Sequence, residues 1–103
     1  MISVIMPYYK KKKFVEESLN SVLNQTYKDF EVIIVYDDEL KKDLKFIQDL
    51  AKLDHRIKII VNDQNIGAGP SRNKAIKFSN REFLAFIDCD DVWYETKLEE
   101  QIN

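Results

Sequence analysis

Three carboxylates, Asp88, Asp90 and Asp91, follow directly on the apolar run FLAFI of residues 83–87. Because side chains alternate along an extended segment, Asp88 and Asp90 should point the same way, while Cys89 points back toward the protein. Mg²⁺ and similar hard cations are held by one or two carboxylates together with substrate phosphates. The spacing therefore predicts an oxygen clamp for a divalent cation that carries a diphosphate.

The apolar pattern of the chain predicts the elements that must position this clamp. Short runs rich in β-branched residues predict strands buried on both faces, and apolar residues at i, i+4 and i+7 predict helices between them. The predicted strands cover residues 2–6, 30–36, 57–61 and 83–87, and Pro7 is expected to end the first of them. The predicted helices cover about residues 12–25, Leu40 to Ala51, Pro70 to about Phe78, and the segment ETKLEEQI.

Strands that alternate with helices predict an α/β fold. Right-handed crossovers would give a mostly parallel sheet of about four strands, with helices on both faces. Ligands of such sheets bind beyond the carboxyl ends of the strands. Apart from the acidic cluster, the residues predicted at those ends are Pro7 to Tyr9, Asp37 with Asp38, and Asn62. Arg72 and the loop amides around Gly67 and Gly69 would add positive potential at the same edge.

The acids alone leave several interpretations open. Acids at strand ends are often only solvated loop residues. A receiver domain of the response-regulator type also carries acids after its strands, and it would take phosphate on Asp88. A receiver would need a further strand that ends in a lysine, and none follows here. A metal-dependent transferase and a nucleotide-binding module without chemistry are the other two hypotheses.

The composition predicts one soluble globular domain. The chain has 103 residues, of which 45% are hydrophobic and 33% charged, and its net charge is −2. This balance gives no positive field for nucleic acid or an anionic membrane. The single cysteine allows no internal disulfide, which fits a cytoplasmic location. The apolar runs are too short for a signal peptide or a transmembrane segment, and peripheral membrane contact of a full-length protein stays open.

Four stretches occur in an order that is typical of one enzyme family. They are SVIMPYY at 3–9, SVLNQTYKDFEVIIV at 21–35, NIGAGPSRN at 65–73 and DCDDVWYETKLEEQI at 88–102. Through them the whole chain resembles the N-terminal, nucleotide-binding half of family 2 glycosyltransferases, which have the Rossmann-like GT-A fold. The resemblance implies that residues 1–103 form the nucleotide-sugar-binding part of such a domain, and that its C-terminal acceptor part is absent.

The resemblance also implies which residues bind the donor. Pro7 and Tyr9 would line the nucleoside pocket, and Asp38, or with less support Asp37, would accept hydrogen bonds from the base. Further contacts to the nucleotide-sugar are implied for Asn65, Gly67, Arg72 and Asp88. The family usually has a small turn residue after the position of Asp38, whereas Glu39 and Leu40 follow it here.

The implied reaction is sugar transfer with inversion. Asp88 would contact the ribose or the metal, and Asp90, with Asp91, would hold Mn²⁺ or Mg²⁺ on the diphosphate of a UDP-linked donor. The acceptor would be an unknown glycan or a lipid-linked molecule in cell-surface polysaccharide synthesis. The general base is expected beyond Asn103, so the chain alone is expected to be inactive.

Other conspicuous residues have simpler interpretations. The lysine run of residues 10–13 is expected to be solvated, because charged runs usually lie in water. His55 is the only histidine and falls in a predicted helix-to-strand loop. Trp93, at the start of a predicted helix, is expected to belong to the core rather than to stack on a sugar.

Overall fold

The computed structural model describes residues 2–79 and 82–102, which form four strands and four α-helices. The strands are β1 (Ile2–Tyr8), β2 (Phe30–Tyr36), β3 (Ile57–Val61) and β4 (Phe83–Phe86). The helices are α1 (Lys12–Leu23), α2 (Leu44–Ala51), α3 (Ala68–Phe78) and α4 (Lys97–Ile102). A 3₁₀ turn, Lys41–Asp43, leads into α2.

The four strands form one parallel sheet in the order β3-β2-β1-β4. The central pair, β1 and β2, stays in register from Ile2 opposite Phe30 to Tyr8 opposite Tyr36. All carboxyl ends therefore meet at one edge of the sheet, as the α/β prediction requires. This arrangement confirms the predicted fold class.

Side chains from the two faces of the sheet form two separate apolar clusters. The larger cluster joins alternate residues such as Val4, Met6 and Ile34 to buried residues of α1, α2 and α4. The smaller one joins Ile5, Ile33 and Val35 to Ala75 of α3. Helices therefore cover both faces, which confirms that part of the prediction. None of the helices in residues 2–79 and 82–102 combines the length and the apolar content needed to cross a membrane.

The first strand does not end before Pro7 as predicted, but continues to Tyr8. Ile5 O accepts a hydrogen bond from Ile87 N on the β4 side, whereas Tyr8 O accepts one from Asp37 N on the β2 side. Pro7 has the same orientation as Ile5, so its missing N–H faces the space past the end of β4. Because no ladder hydrogen bond is lost there, proline is tolerated inside the strand.

The second predicted helix begins later than expected. Leu40 precedes it in a loop, where Leu40 N donates to Asp38 Oδ1 at 3.0 Å and Leu40 O accepts from Tyr36 Oη at 3.3 Å. These local bonds replace the helical ones, since short polar side chains compete with the helix for backbone groups. The prediction of a helix from Leu40 was therefore wrong by one turn.

Two stacked tyrosines fasten this loop to the sheet. The ring centroids of Tyr8 and Tyr36 lie 5.3 Å apart in the core. Burial and the nearby Asp43 carboxylate raise the pKa of Tyr8, so its hydroxyl stays protonated and donates to Asp43 Oδ2 at 2.9 Å. Asp43 N in turn donates to Tyr36 Oη. The loop after β2 is thus held against the same edge at which the acidic cluster lies.

Candidate functional site

A cleft of about 280 Å³ lies at the carboxyl edge of the sheet. Asp37, which the sequence offers only as the alternative to Asp38, lines it after β2. Four other lining residues were predicted as site residues from the sequence: Pro7, Tyr9, Asp88 and Asp90. They come from the ends of β1 and β4, which are neighbours in the sheet. The parallel topology therefore brings together residues that lie about 80 positions apart in the chain.

The three carboxylates after β4 form a compact cluster. Asp88, Asp90 and Asp91 each offer one oxygen, and these oxygens lie within 4.8 Å of one another. All three residues are exposed, so a cation held there would keep water in part of its coordination shell. An all-oxygen, partly hydrated donor set is what Mg²⁺ and Mn²⁺ prefer. The residues present therefore fit the predicted divalent cation.

Cys89 points away from this cluster, as the alternation of side chains predicts. Its side chain is buried in the larger apolar cluster. Burial raises the pKa of the Cys89 thiol, so the thiol stays protonated and is a poor nucleophile. This confirms the prediction that the Cys89 side chain points toward the protein and packs in the core.

Two cationic side chains flank the carboxylates. Arg72 Nη2, near the start of α3, lies 3.1 Å from Asp88 Oδ1, and Lys11 Nζ lies 3.6 Å from Asp90 Oδ2. These ion pairs are partly exposed and contribute little to stability. They do place two positive charges beside the point at which a cation-bound diphosphate would lie.

The lysine run is exposed, as predicted, but Lys11 also lies at the cleft, which fits the alternative that the run could steer a diphosphate. Lys10 has a φ of 50°, in the left-handed region, and this tight turn joins β1 to α1. Lys11 follows it and lines the cleft. The sequence feature that could have indicated this position is that Lys11 closely follows β1, whose carboxyl end lies at the acidic edge.

Asp37 lines the cleft, but its carboxylate is already hydrogen-bonded within the protein. It is 2% exposed and accepts four hydrogen bonds, from Asn62 Nδ2, Asn65 Nδ2 and the backbone N–H groups of Ile66 and Gly67. The polar groups of Asn65 and Gly67 that were predicted to contact the donor are therefore engaged by Asp37. In this arrangement Asn65 and Gly67 shape the loop that precedes α3.

Asp38 is 1% exposed and, unlike its neighbour Asp37, is not among the residues that line the cleft. Its Oδ1 accepts the hydrogen bond from Leu40 N. Its Oδ2 is also buried, and no hydrogen-bond donor among residues 2–79 and 82–102 reaches it. A buried acceptor without a donor is costly and uncommon. Asp38 Oδ2 is therefore a buried acceptor without a donor, next to a residue that lines the cleft.

Of the remaining candidates, Tyr9 lies at the cleft, whereas Trp93 lies against the core and His55 lies at the other end of the sheet. Tyr9 is 44% exposed at the rim of the cleft, where its ring can stack on a base. Trp93 is partly buried against the larger apolar cluster, which confirms its interpretation as a core residue. His55 precedes β3, at the end of the sheet opposite the cleft, and its side chain is 95% exposed.

Comparison with known proteins identifies relatives along the whole chain. The model of the family described as glycosyl transferase family 2 matches residues 3–103. The chain is 40% identical over 103 residues to the Escherichia coli UDP-Glc:alpha-D-GlcNAc-diphosphoundecaprenol beta-1,3-glucosyltransferase WfgD, and covers 40% of it. It is 36% identical over 103 residues to the putative teichuronic acid biosynthesis glycosyltransferase TuaG of Bacillus subtilis, and covers 41% of it.

Solved structures share the fold. Residues 1–349 of Staphylococcus aureus TarS, in complex with UDP-GlcNAc, superpose with a TM-score of 0.87 at 31% identity, covering 98% of this chain and 30% of that one. The Pyrobaculum calidifontis mannosyltransferase PcManGT, in complex with GDP-Man and Mn²⁺, has a TM-score of 0.81 at 21% identity, covering 89% of this chain and 28% of that one. The chain thus spans well under half the length of these relatives.

Proposed function

Because the chain belongs to glycosyl transferase family 2, we propose that it is the donor-binding part of an enzyme that transfers a sugar from a UDP-sugar. The acceptor is a glycan or a lipid-linked molecule, and the product enters a cell-surface polysaccharide. We place the reaction in the cytoplasm and expect inversion at the transferred carbon. The general base and the acceptor pocket belong to a part of the enzyme beyond Asn103.

The observation that carries this proposal is the grouping of Asp88, Asp90 and Asp91 with Arg72 and Lys11 at one cleft. A simple anion would be repelled by the carboxylates, and a simple cation would be repelled by Arg72 and Lys11. Both sets of charges are matched by a diphosphate whose oxygens are shared between a divalent cation and basic side chains. The receiver alternative, with phosphate on Asp88, does not account for the family membership.

In the proposed complex Asp88 and Asp90 hold Mn²⁺ or Mg²⁺, with Asp91 beside them. The cation would stabilise the negative charge that develops on the leaving nucleoside diphosphate. Arg72 and Lys11 then turn from the carboxylates to the phosphate oxygens. Each basic side chain would thereby exchange a carboxylate partner for a phosphate partner.

The nucleoside is proposed to lie between Tyr9 and the loop after β2. Tyr9 stacks on the base, and Pro7 also lines the cleft. Asp38 Oδ2 accepts the N3–H of uracil, which is a donor that cytosine lacks. The free acceptor on Asp38 provides a partner for this N–H. The relatives named for UDP-linked substrates, WfgD and TarS, are consistent with this choice.

Calorimetric titration of the chain with UDP tests the proposal. We expect UDP to bind in the presence of Mn²⁺, and chelation of the metal by EDTA to weaken binding by at least about tenfold, because the cation bridges protein and diphosphate. UMP serves as the matched control ligand, since it lacks the second phosphate and should depend less on Mn²⁺.

An unchanged UDP affinity after chelation would contradict the metal-dependent site. Labelling of Asp88 by acetyl phosphate, together with no UDP binding, would favour the receiver function instead.

A further inference from the structure

A buried polar network connects Asp37, at the end of β2, to the start of α3. We propose that Asp37 is a positioning residue, whose carboxylate fixes where α3 begins and thereby holds Arg72 beside Asp88. This inference rests on the proposed function, because Arg72 matters there as a ligand of the donor diphosphate. It assigns Asp37 a role that differs from base recognition.

Both oxygens of the Asp37 carboxylate are filled by the loop before α3. Oδ1 accepts from Ile66 N at 2.7 Å and from Asn62 Nδ2 at 3.0 Å. Oδ2 accepts from Gly67 N at 2.9 Å and from Asn65 Nδ2 at 3.1 Å. A buried carboxylate is tolerated only when it is paired or fully hydrogen-bonded, and these donors meet that need. These four hydrogen bonds therefore hold the conformation of the loop.

The loop held in this way supplies the first turn of α3. Gly67 has a φ of 94°, which glycine adopts without strain. Its carbonyl accepts the hydrogen bond of Ser71 N at 3.1 Å, so the residue bound by Asp37 also opens the helix. A shift of Gly67 would move the first turn of the helix and Arg72 with it.

Asn62, which follows β3, forms a second link between Asp37 and the first turn of α3. Asn62 Nδ2 is shared between Asp37 Oδ1 and Ser71 Oγ, at 3.0 and 3.2 Å. Asn62 and Ser71 are both buried. Ser71 immediately precedes Arg72, whose Nη2 reaches Asp88 Oδ1 at 3.1 Å. The contacts are thus continuous from the Asp37 carboxylate to the acidic cluster.

A double-mutant cycle tests whether Asp37 acts through Arg72. Asp37→Asn keeps the shape but removes the charge and turns an NH₂ group toward N–H donors. We expect Asp37→Asn and Arg72→Met each to weaken Mn²⁺-dependent UDP binding about tenfold, and the double variant to bind within about twofold of Arg72→Met alone. Independent, multiplying losses would overturn the inference.

Glu31→Gln is the matched control, because Glu31 is also a buried strand carboxylate but lies toward the opposite end of the sheet. Its effect on UDP binding should be small and should multiply with that of Arg72→Met. Gly67→Ala gives a second variant of the same loop, since a φ of 94° strains any residue with a Cβ atom. Gly67→Ala should show the same coupling to Arg72→Met.

A donor-independent measurement separates this inference from the proposed function. We expect the Nε–H resonance of Arg72 in a ¹⁵N-labelled chain without UDP to shift in Asp37→Asn and to stay unchanged in Glu31→Gln. Failure of the unaltered chain to bind UDP would remove the proposed function, while the Arg72 resonance would still decide on positioning. An unshifted Arg72 resonance in folded Asp37→Asn would contradict the positioning role.

Discussion

Replacement of Asp90 by asparagine is expected to weaken Mn²⁺-dependent UDP binding by roughly 10- to 100-fold or more, since changes even in residues that only support metal ligands cost that much. Asp90 belongs to the compact oxygen cluster with Asp88 and Asp91, and it also pairs with Lys11. The amide keeps the size of the side chain but loses the charge that attracts the cation. Because Asp90 is exposed, the free energy of unfolding should change by less than about 0.5 kcal/mol.

Asp63→Asn is the matched control for this experiment. Asp63 is also exposed and follows β3 at the carboxyl edge of the sheet, but it lies outside the acidic cluster. Titration with UDP, with and without Mn²⁺, should give the same affinities for Asp63→Asn as for the unaltered chain. A Mn²⁺ dependence in Asp90→Asn equal to that of the unaltered chain would exclude Asp90 as a metal ligand.

Replacement of Gln25 by alanine is expected to lower the free energy of unfolding by about 2–4 kcal/mol, since each buried polar group left unpaired costs about 1–3 kcal/mol. Gln25 is fully buried after α1. Its Nε2 donates to Tyr94 O at 2.7 Å, and its Oε1 accepts from Leu98 N at 2.9 Å. It therefore fixes the segment that follows the acidic cluster onto the core.

Urea unfolding followed by circular dichroism measures this loss. Gln48→Ala is the control, because Gln48 is exposed on α2 and its truncation to a good helix former should change stability by less than about 0.5 kcal/mol. Equal midpoints for Gln25→Ala and Gln48→Ala would show that Gln25 does not hold this segment.

The strands and the acidic edge could be predicted because their signals are local. Runs such as 30–36 and 57–61 are apolar except for Glu31 and Lys58, as expected of parallel strands covered by helices, and the structure has strands at these residues. The order of strands and helices then implies where the carboxyl ends meet. The grouping of Asp88 and Asp90 with the end of β1 also depends on the strand order, in which β1 and β4 are neighbours.

The role of Asp37 could not be predicted, because its partners come from a distant part of the chain. Asn62 and Gly67 lie 25 and 30 residues away, and only the parallel pairing of β2 with β3 brings them to Asp37. In the sequence, Asp37 and Asp38 are two neighbouring acids of equal character. The structure distinguishes them by their hydrogen-bond donors. Both carboxylate oxygens of Asp37 have donors, four in all, whereas Oδ2 of Asp38 has none among the described residues.

The departures in the first half of the chain have the same physical origin. Proline ends a strand only where the missing N–H would have been paired, and Pro7 faces the open side beyond β4. The delayed start of α2 depends on bonds from Leu40 to Asp38 and Tyr36, which no helical periodicity reveals. In both cases the hydrogen bonds open to the backbone, rather than the apolar pattern, decide where the element ends or begins.

The central claim, that a divalent cation on this acidic edge binds the donor diphosphate, is tested most directly by crystals grown with UDP and Mn²⁺. Anomalous scattering near the manganese edge locates the ion without assumptions about the protein. We predict one strong peak in contact with Asp90 and with oxygens of both UDP phosphates, with Arg72 turned toward the diphosphate. A manganese peak away from Asp88 and Asp90, or a diphosphate that does not contact the ion, would contradict the account.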